Sequence, residues 1–368
     1  MENLAELKEI VISQVLDYTR LAVLDQIKNL IASKRQVPGA YDDLYELISD
    51  YPFRKGKALR PALCICTARA VGGLAQGALV SSAALEMFHN AALIHDDLED
   101  ESDLRRGEEA MHHMVGVGRA VNLGDATQVL SLSFLLENLN TIGVAKSMHV
   151  MHEIENMSRQ SVEGQAMELD WIANHVFDLH DEDYYRMCTK KTCWYTFIAP
   201  CRIGYIVGTS NWNDEEVKSH LDQLTEFGMV LGIAFQVQDD LLNLIGSEEQ
   251  YGKEIGGDIY EGKRTIMLNH VITHSDSSEK IKAIIRKPRV EKTVDEIAFI
   301  LNEMNAIGSI EYGKKIAEEY AGKANGLLEE MHFLKEQELP RSEENWDVEV
   351  ADRRLIQELV NYVVQREV

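Results

Sequence analysis

The chain has 368 residues, 45% of them hydrophobic, enough to bury a large core in one or two domains. Its 37 Lys and Arg stand against 61 Asp and Glu, a formal net charge of −24. That balance excludes the basic face that nucleic-acid binding needs and opposes adsorption to anionic membranes.

The N-terminus, "MENLAELKEI", is acidic and amphipathic, with no basic flank and no apolar core of signal-peptide length. No apolar run approaches the ~20 residues of a membrane span, so a cytoplasmic protein is expected. Apolar residues at helical spacing predict a first helix over residues 4–32. "SKRQVPGAYDD" and "YPFRKGKALRP" read as loops, the second closed by Pro61 as a helix start. Helix follows from Ala62 and again over residues 79–98. "RRGEEAMHHMVGVGRAVNLGD" reads as a long polar connection bearing glycines, after which helical patterns run from Ala126 to about Ile245. Residues 246–265, "GSEEQYGKEIGGDIYEGKRT", form a second glycine-rich loop. "VDEIAFILNEMNAIGS", "IEYGKKIAEEYAGKANGLLEEM" and "DRRLIQELVNYVVQRE" complete the helices, the last after a polar loop around Pro340. None of the six prolines lies between Pro61 and Pro200, as suits helices, where an interior proline costs about 3 kcal/mol. No strand run and no short-period repeat is evident. The expectation is an all-α fold, one domain over residues 1–368. The five cysteines (64, 66, 188, 193 and 201) fit no zinc spacing, and several lie in apolar segments; buried free thiols, suited to a reducing cytosol, are expected.

One pattern occurs twice: an apolar helix, then Asp-Asp, then a basic glycine loop. In "ALIHDDLEDESDLRRG" six acids fall within eight residues, 96–103, and two arginines and a glycine follow. Asp96 and Asp100 stand at i and i+4, on one helix face, with Asp97 beside them. In "FQVQDDLLN", Asp239, Asp240 and Asn243 repeat that spacing. One such pair is an ordinary solvated helix end. Two, each followed by cations, suit Mg²⁺, which takes one or two carboxylates and leaves its other positions to water and phosphate oxygens. Lys57, Arg60, Arg105, Arg106, Lys191, Lys253 and Lys263 supply counter-charge for a phosphate ligand, arginine as a planar fork and lysine as a point charge. Each alone would be a solvated surface charge. His89 lies two helical turns before Asp96 on the same face; taken alone it would be a satisfied core histidine.

The set "GKALRP", "HNAALIHDDLEDESDLRRG", "GQAMEL", "KKTCWYT", "FQVQDDLLN" and "GKEIGGDIYEGKRT", in this order and over almost the whole chain, resembles the trans-isoprenyl diphosphate synthases, most of all those of the geranylgeranyl type. The resemblance implies an all-helical bundle around a deep central cavity and a homodimer. It implies head-to-tail condensation of isopentenyl diphosphate with an allylic diphosphate, with Mg²⁺ as cofactor. By position, Asp96, Asp100 and Asp239 would bind metal, while Asp97 and Asp240 would act less directly. Arg105, Lys191, Thr192, Gln236, Lys253 and Lys263 would hold the allylic diphosphate. Lys57, Arg60, His89 and Arg106 would hold isopentenyl diphosphate. Asn243 departs from the family's third aspartate, and Glu168 stands where the family often has Asp in "GQAMEL". A class I terpene cyclase would need no second substrate, and its Asn/Asp-Ser-Glu metal motif is absent after Asp239. A non-catalytic partner subunit would be expected to have lost one acidic motif. Product length should depend on the helix before Asp96. Ala92 and Ala91, one turn back, are small, where bulky aromatics in the family give a fifteen-carbon product. Phe88 and Met87, a turn further, are the expected floor.

Overall fold

The computed structural model describes residues 2–35, 41–54, 56–246, 255–335 and 352–364, with residues 2–11, 42, 363 and 364 as backbone alone. The first helices are α1 (Glu2–Lys34), α2 (Asp42–Phe53), α3 (Leu59–Ala70), α4 (Ala75–Glu99), α5 (Met111–Val115), α6 (Val117–Thr141), α7 (Gly143–Ala173) and α8 (Asp181–Cys188). A π-helical stretch (Thr189–Ile198) leads to α9 (Ala199–Gly208) and α10 (Asp214–Ile245). Further helices span Gly257–Glu261, Ile266–His274, Ser278–Ile285, Val294–Ile307, Ser309–Glu330 and Arg353–Val364. Among the described residues the only strands are β1 (Leu104–Arg105) and β2 (Glu108–Glu109), so the all-α expectation holds.

Contacts divide the chain into two compact units. One draws on Met1–Met157, Tyr195–Phe227 and Leu327–Leu359; the other on Ser158–Trp194, Gly228–Gly326 and Val360–Val368. Every border falls inside a helix, where no loop or change of composition marks it in the sequence.

In the first unit α4 packs against α1, α3, α6 and α9, and α3 also packs along α9. Every residue of α3 except Arg60 is buried, the mark of a helix apolar all round. Gly204 and Gly208 make its approach to α9 possible, since a β-carbon at either would overlap the carbonyl oxygens of Cys64 or Ala68. Among the described residues α4 is long and apolar enough to cross a membrane, contrary to the reading from apolar runs. Yet 83% of its most apolar window is buried within the protein, as in a core helix. All five cysteines are free and buried, as expected. In the second unit Ile266–His274 packs against α8, Ser278–Ile285 and Val294–Ile307.

Three stretches differ from the sequence reading. α2 ends within the expected loop "YPFRKGKALRP", with Pro52 in its last turn, and α3 starts at Leu59, which puts Pro61 in the first turn, where its missing N–H costs nothing. The connection at 105–125 is instead a hairpin, α5 and the start of α6. Its glycines suggested a loop, but Gly124 lies against the His95 ring, where a β-carbon would overlap it. Close packing on α4 outweighs the ~1 kcal/mol a helical glycine costs. The expected run from 126 to 245 is broken at Gly143 (φ +78°), over 174–180 and over 209–213.

Candidate active site

The first acid set stands at the C-terminal end of α4. That end of a helix carries partial negative charge, so carboxylates there need a cation. Asp96 is partly exposed, its side chain at 24%, and Asp100 caps the helix. Asp97, about 100° around the helix, points inward and is fully buried. Its oxygens accept the Tyr51 hydroxyl at 2.6 Å and Arg105 Nε at 2.8 and 3.0 Å, and Arg105 Nη2 as well. Arg105, expected on the allylic diphosphate, is thus bound to Asp97 here, with Nη2 3.7 Å from Asp96 Oδ2.

The "RRG" motif forms a hairpin. Arg105 pairs with Glu108, and Arg106 and Gly107 between them have φ of +56° and +80°, as a two-residue I′ turn requires. Buried Arg54 holds this hairpin by donating to the carbonyls of Arg105 (3.1 Å) and Glu109 (2.9 Å).

A second group in this unit brings together Arg60, His89 and Arg106, three of the four residues expected on isopentenyl diphosphate. Arg60 Nη2 donates to Thr196 at 2.8 Å, and its guanidinium lies 4.5 Å over the Tyr195 ring. His89 stacks on the same ring and leaves Nδ1 buried without a hydrogen-bond partner. Burial, with Arg60, Arg106 and Arg105 nearby, holds His89 well below 6.5, so it is neutral at pH 7 and adds no charge. Arg106 donates to the Tyr51 carbonyl at 3.0 Å and packs against Gly56. Lys57 is exposed beside Ala58, a non-glycine residue at φ +48°. Along α4, Ala92 is partly exposed, whereas Ala91, Phe88 and Met87 are buried. The Phe88 ring lies 6.4 Å from that of Tyr195.

In the second unit Asp239 is half-buried on α10 and Asp240 turns inward, as Asp97 does. Asp240 accepts the Tyr184 hydroxyl (2.7 Å) and the Gln236 amide (2.8 Å), and Gln236 Oε1 accepts from Thr192 (2.8 Å). Burial pushes the Asp240 carboxyl up to about 7; the hydrogen bonds from Tyr184 and Gln236 pull it down, while Asp239 and Glu168 push it up. Asn243, the departure from the family pattern, closes the following loop: its Oδ1 accepts the Asp258 N–H and its carbonyl the Gly256 N–H. Lys191 pairs with Glu168, and Lys263 with Glu261 at 2.7 Å. Lys253 lies outside the described residues.

The glycine of "GQAMEL" now has a reason. Gly164 of α7 lies against the backbone of Lys191, where a β-carbon would overlap the amide nitrogen. Gly164→Ala should therefore shift the π-helical stretch, cost roughly 1–3 kcal/mol and lower activity through Lys191. Thermal melts beside steady-state rates check this, and an unchanged melt would refute the tight contact.

Sequence reasoning missed Tyr51, Tyr184, Arg54 and Tyr195. None carries a local signal of its role; only "KKTCWYT" placed Tyr195 near a motif. Among the described residues no three of His, Cys, Asp and Glu gather into a ready metal cage. The carboxylates that remain solvent-accessible are oxygen donors only, which fits Mg²⁺, an ion that keeps several waters.

Comparison with known proteins places the chain in a family. The chain is 32% identical over 276 residues to octaprenyl diphosphate synthase of Escherichia coli (strain K12), covering 74% of this chain and 80% of that one. It is 32% identical over 284 residues to geranylgeranyl diphosphate synthase of Saccharolobus solfataricus, covering 75% and 80%. A polyprenyl synthase from Caulobacter crescentus, solved with calcium and isoprenyl diphosphate, superposes with a TM-score of 0.76 at 26% identity, over 96% of this chain and 98% of that one. The polyprenyl synthetase family model matches residues 42–304. With both acid sets and the cations in family order inside that span, the chain belongs to the polyprenyl synthetases, the trans-isoprenyl diphosphate synthases that lengthen prenyl chains.

Proposed function

We propose that the protein is a magnesium-dependent geranylgeranyl diphosphate synthase. The observation that carries the product length is the turn of α4 before Asp96. Ala92 is small and partly exposed, and Phe88, four residues further back on the same face, is buried, roughly 12 Å from Asp96 along the axis at about 1.5 Å per residue. A chain growing from the diphosphate passes Ala92 and stops at Phe88 after twenty carbons. Met87 and Ala91 lie on the more buried side and support this floor.

Asp96, Asp100 and Asp239 would hold Mg²⁺, which supplies counter-charge to the departing diphosphate. The Caulobacter crescentus structure, with its divalent cation and isoprenyl diphosphate, supports that reading. Lys191, Thr192, Gln236, Lys263, Lys253 and Arg105 hold the allylic diphosphate as its C–O bond breaks and negative charge develops on it. Lys57, Arg60, Arg106 and neutral His89 hold isopentenyl diphosphate, whose double bond attacks the allylic carbocation; a proton is then lost. Apolar helix faces exclude water that would quench the cation.

The same reading includes a cytoplasmic homodimer. Val129, Leu132, Leu136 and Leu139 form an exposed stripe on α6 at three- and four-residue intervals, the spacing of a helix face that packs on a partner. Sedimentation of the purified protein checks it.

The defining experiment incubates the protein with Mg²⁺, isopentenyl diphosphate and each allylic starter, with products identified by mass spectrometry. A geranylgeranyl product is expected. A main product of octaprenyl length, or a cyclised hydrocarbon from one diphosphate, refutes the assignment. Ala92→Phe should shorten the product to fifteen carbons and Phe88→Ala should lengthen it beyond twenty; an unchanged distribution in folded Phe88→Ala removes Phe88 as the floor. Lys57→Ala and Arg60→Ala should raise KM for isopentenyl diphosphate on the order of tenfold, the worth of one charge-assisted contact, and leave the allylic KM in place.

A further inference from the structure

The second unit carries a histidine pair that the condensation chemistry does not use. His270 and His274 stand at i and i+4 on the helix Ile266–His274, so both side chains leave one face. Their rings stack 4.2 Å apart at 25°, and the Tyr312 ring stacks on His270 at 4.3 Å. The Tyr312 hydroxyl is held in turn by Asp181. What the pair can bind depends on its ring nitrogens. His274 Nδ1 lies 2.8 Å from the His270 carbonyl, which can only accept. Nδ1 therefore carries the proton, and a neutral His274 keeps its lone pair on Nε2. His270 Nδ1 lies 2.9 Å from Ser309 Oγ, which can accept in the same way. Burial, and then His274 beside it, hold His270 below 6.5 against the pull of Asp181, so this ring is neutral at pH 7. His270 is half-buried and His274 exposed, and neither Nε2 has a hydrogen-bond partner among the described residues. An imidazole that ligates a metal through one nitrogen donates its other N–H to an acceptor such as a carbonyl, which fixes tautomer and orientation. Two zinc–nitrogen bonds of about 2.0–2.1 Å span about 4 Å, close to the ring separation here, so a small turn of the exposed His274 ring brings both Nε2 atoms onto one ion. His274 is also the last helical residue, where the negative end of the helix favours a cation.

We propose that His270 and His274 form a binding site for one transition-metal ion of the zinc, copper or nickel class, with water in its remaining positions. Its donors are imidazole nitrogens, which suit those ions, whereas Mg²⁺ takes oxygen. The ion would cross-link the last turn of Ile266–His274.

The test uses the full chain and Cu²⁺, which binds such donors most tightly, in excess Mg²⁺ so that carboxylate sites are occupied. Calorimetric titration should show a copper site that His274→Gln weakens by roughly tenfold or more, since loss of a partner behind a ligand already costs about that much. Electron paramagnetic resonance of the copper-loaded wild type should show coupling to two imidazole nitrogens, and to fewer in the variant. Equal copper affinity in wild type and folded His274→Gln overturns the proposal and leaves the pair as a packing stack. A wild-type spectrum with oxygen donors only overturns it as well, and does so even if His274→Gln melts early. No prenyl substrate enters the test, so its failure and a failure of the proposed activity are seen separately.

Discussion

Asp96→Ala and Asp239→Ala are each expected to lower turnover by roughly a thousandfold, about 4 kcal/mol of lost transition-state stabilisation, and to leave the fold intact. Both carboxylates are partly open to solvent. Asp96 in addition lies at the negative end of α4 among other acids, so its removal relieves repulsion in the metal-free protein. Rates at matched Mg²⁺, with thermal melts of the same samples, check the pair. Wild-type turnover in either variant would remove that residue from the metal site. A collapsed melting temperature would show that the residue serves the fold instead.

Asp97→Ala, one residue along, should do the opposite in kind. It leaves the buried Arg105 guanidinium without its carboxylate, the Tyr51 hydroxyl without its acceptor and a void between them. Breaking a buried ion pair from one side costs roughly 3–5 kcal/mol, and that is the destabilisation expected. Urea unfolding followed by circular dichroism measures it. A loss no larger than that of Asp96→Ala would mean that the inner aspartate is not what anchors the hairpin. The contrast matters because the two residues are chemically identical neighbours; only their direction around the helix separates them.

That direction was not legible in the chain. The i, i+4 relation of Asp96 and Asp100 is local helix geometry, so it could be read from spacing, and so could the repeat at Asp239 and the cations that follow both. Which acid turns inward depends on what each helix packs against. The partners, Tyr51 and Tyr184, lie 46 and 56 residues away from Asp97 and Asp240, with no motif to tie them. The same reason explains Arg105. Spacing beside two metal-ligand candidates and ahead of a glycine points to a phosphate-binding arginine; it does not display the hairpin turn at Arg106 and Gly107 that also brings the side chain onto Asp97.

The glycines tell the same story in backbone terms. In 105–125 they lower local helix propensity, which is all a sequence displays, and so α6 was read as a loop in its first turns. Packing against His95 supplies what propensity withholds. Helical content, the acid spacings and the supply of cations follow from short-range rules and were in the residues from the start. The inward turn of Asp97 and Asp240, the overlap that Gly164 avoids at Lys191 and the true start of α6 are contacts between segments far apart in the chain, and folding alone brings those segments together.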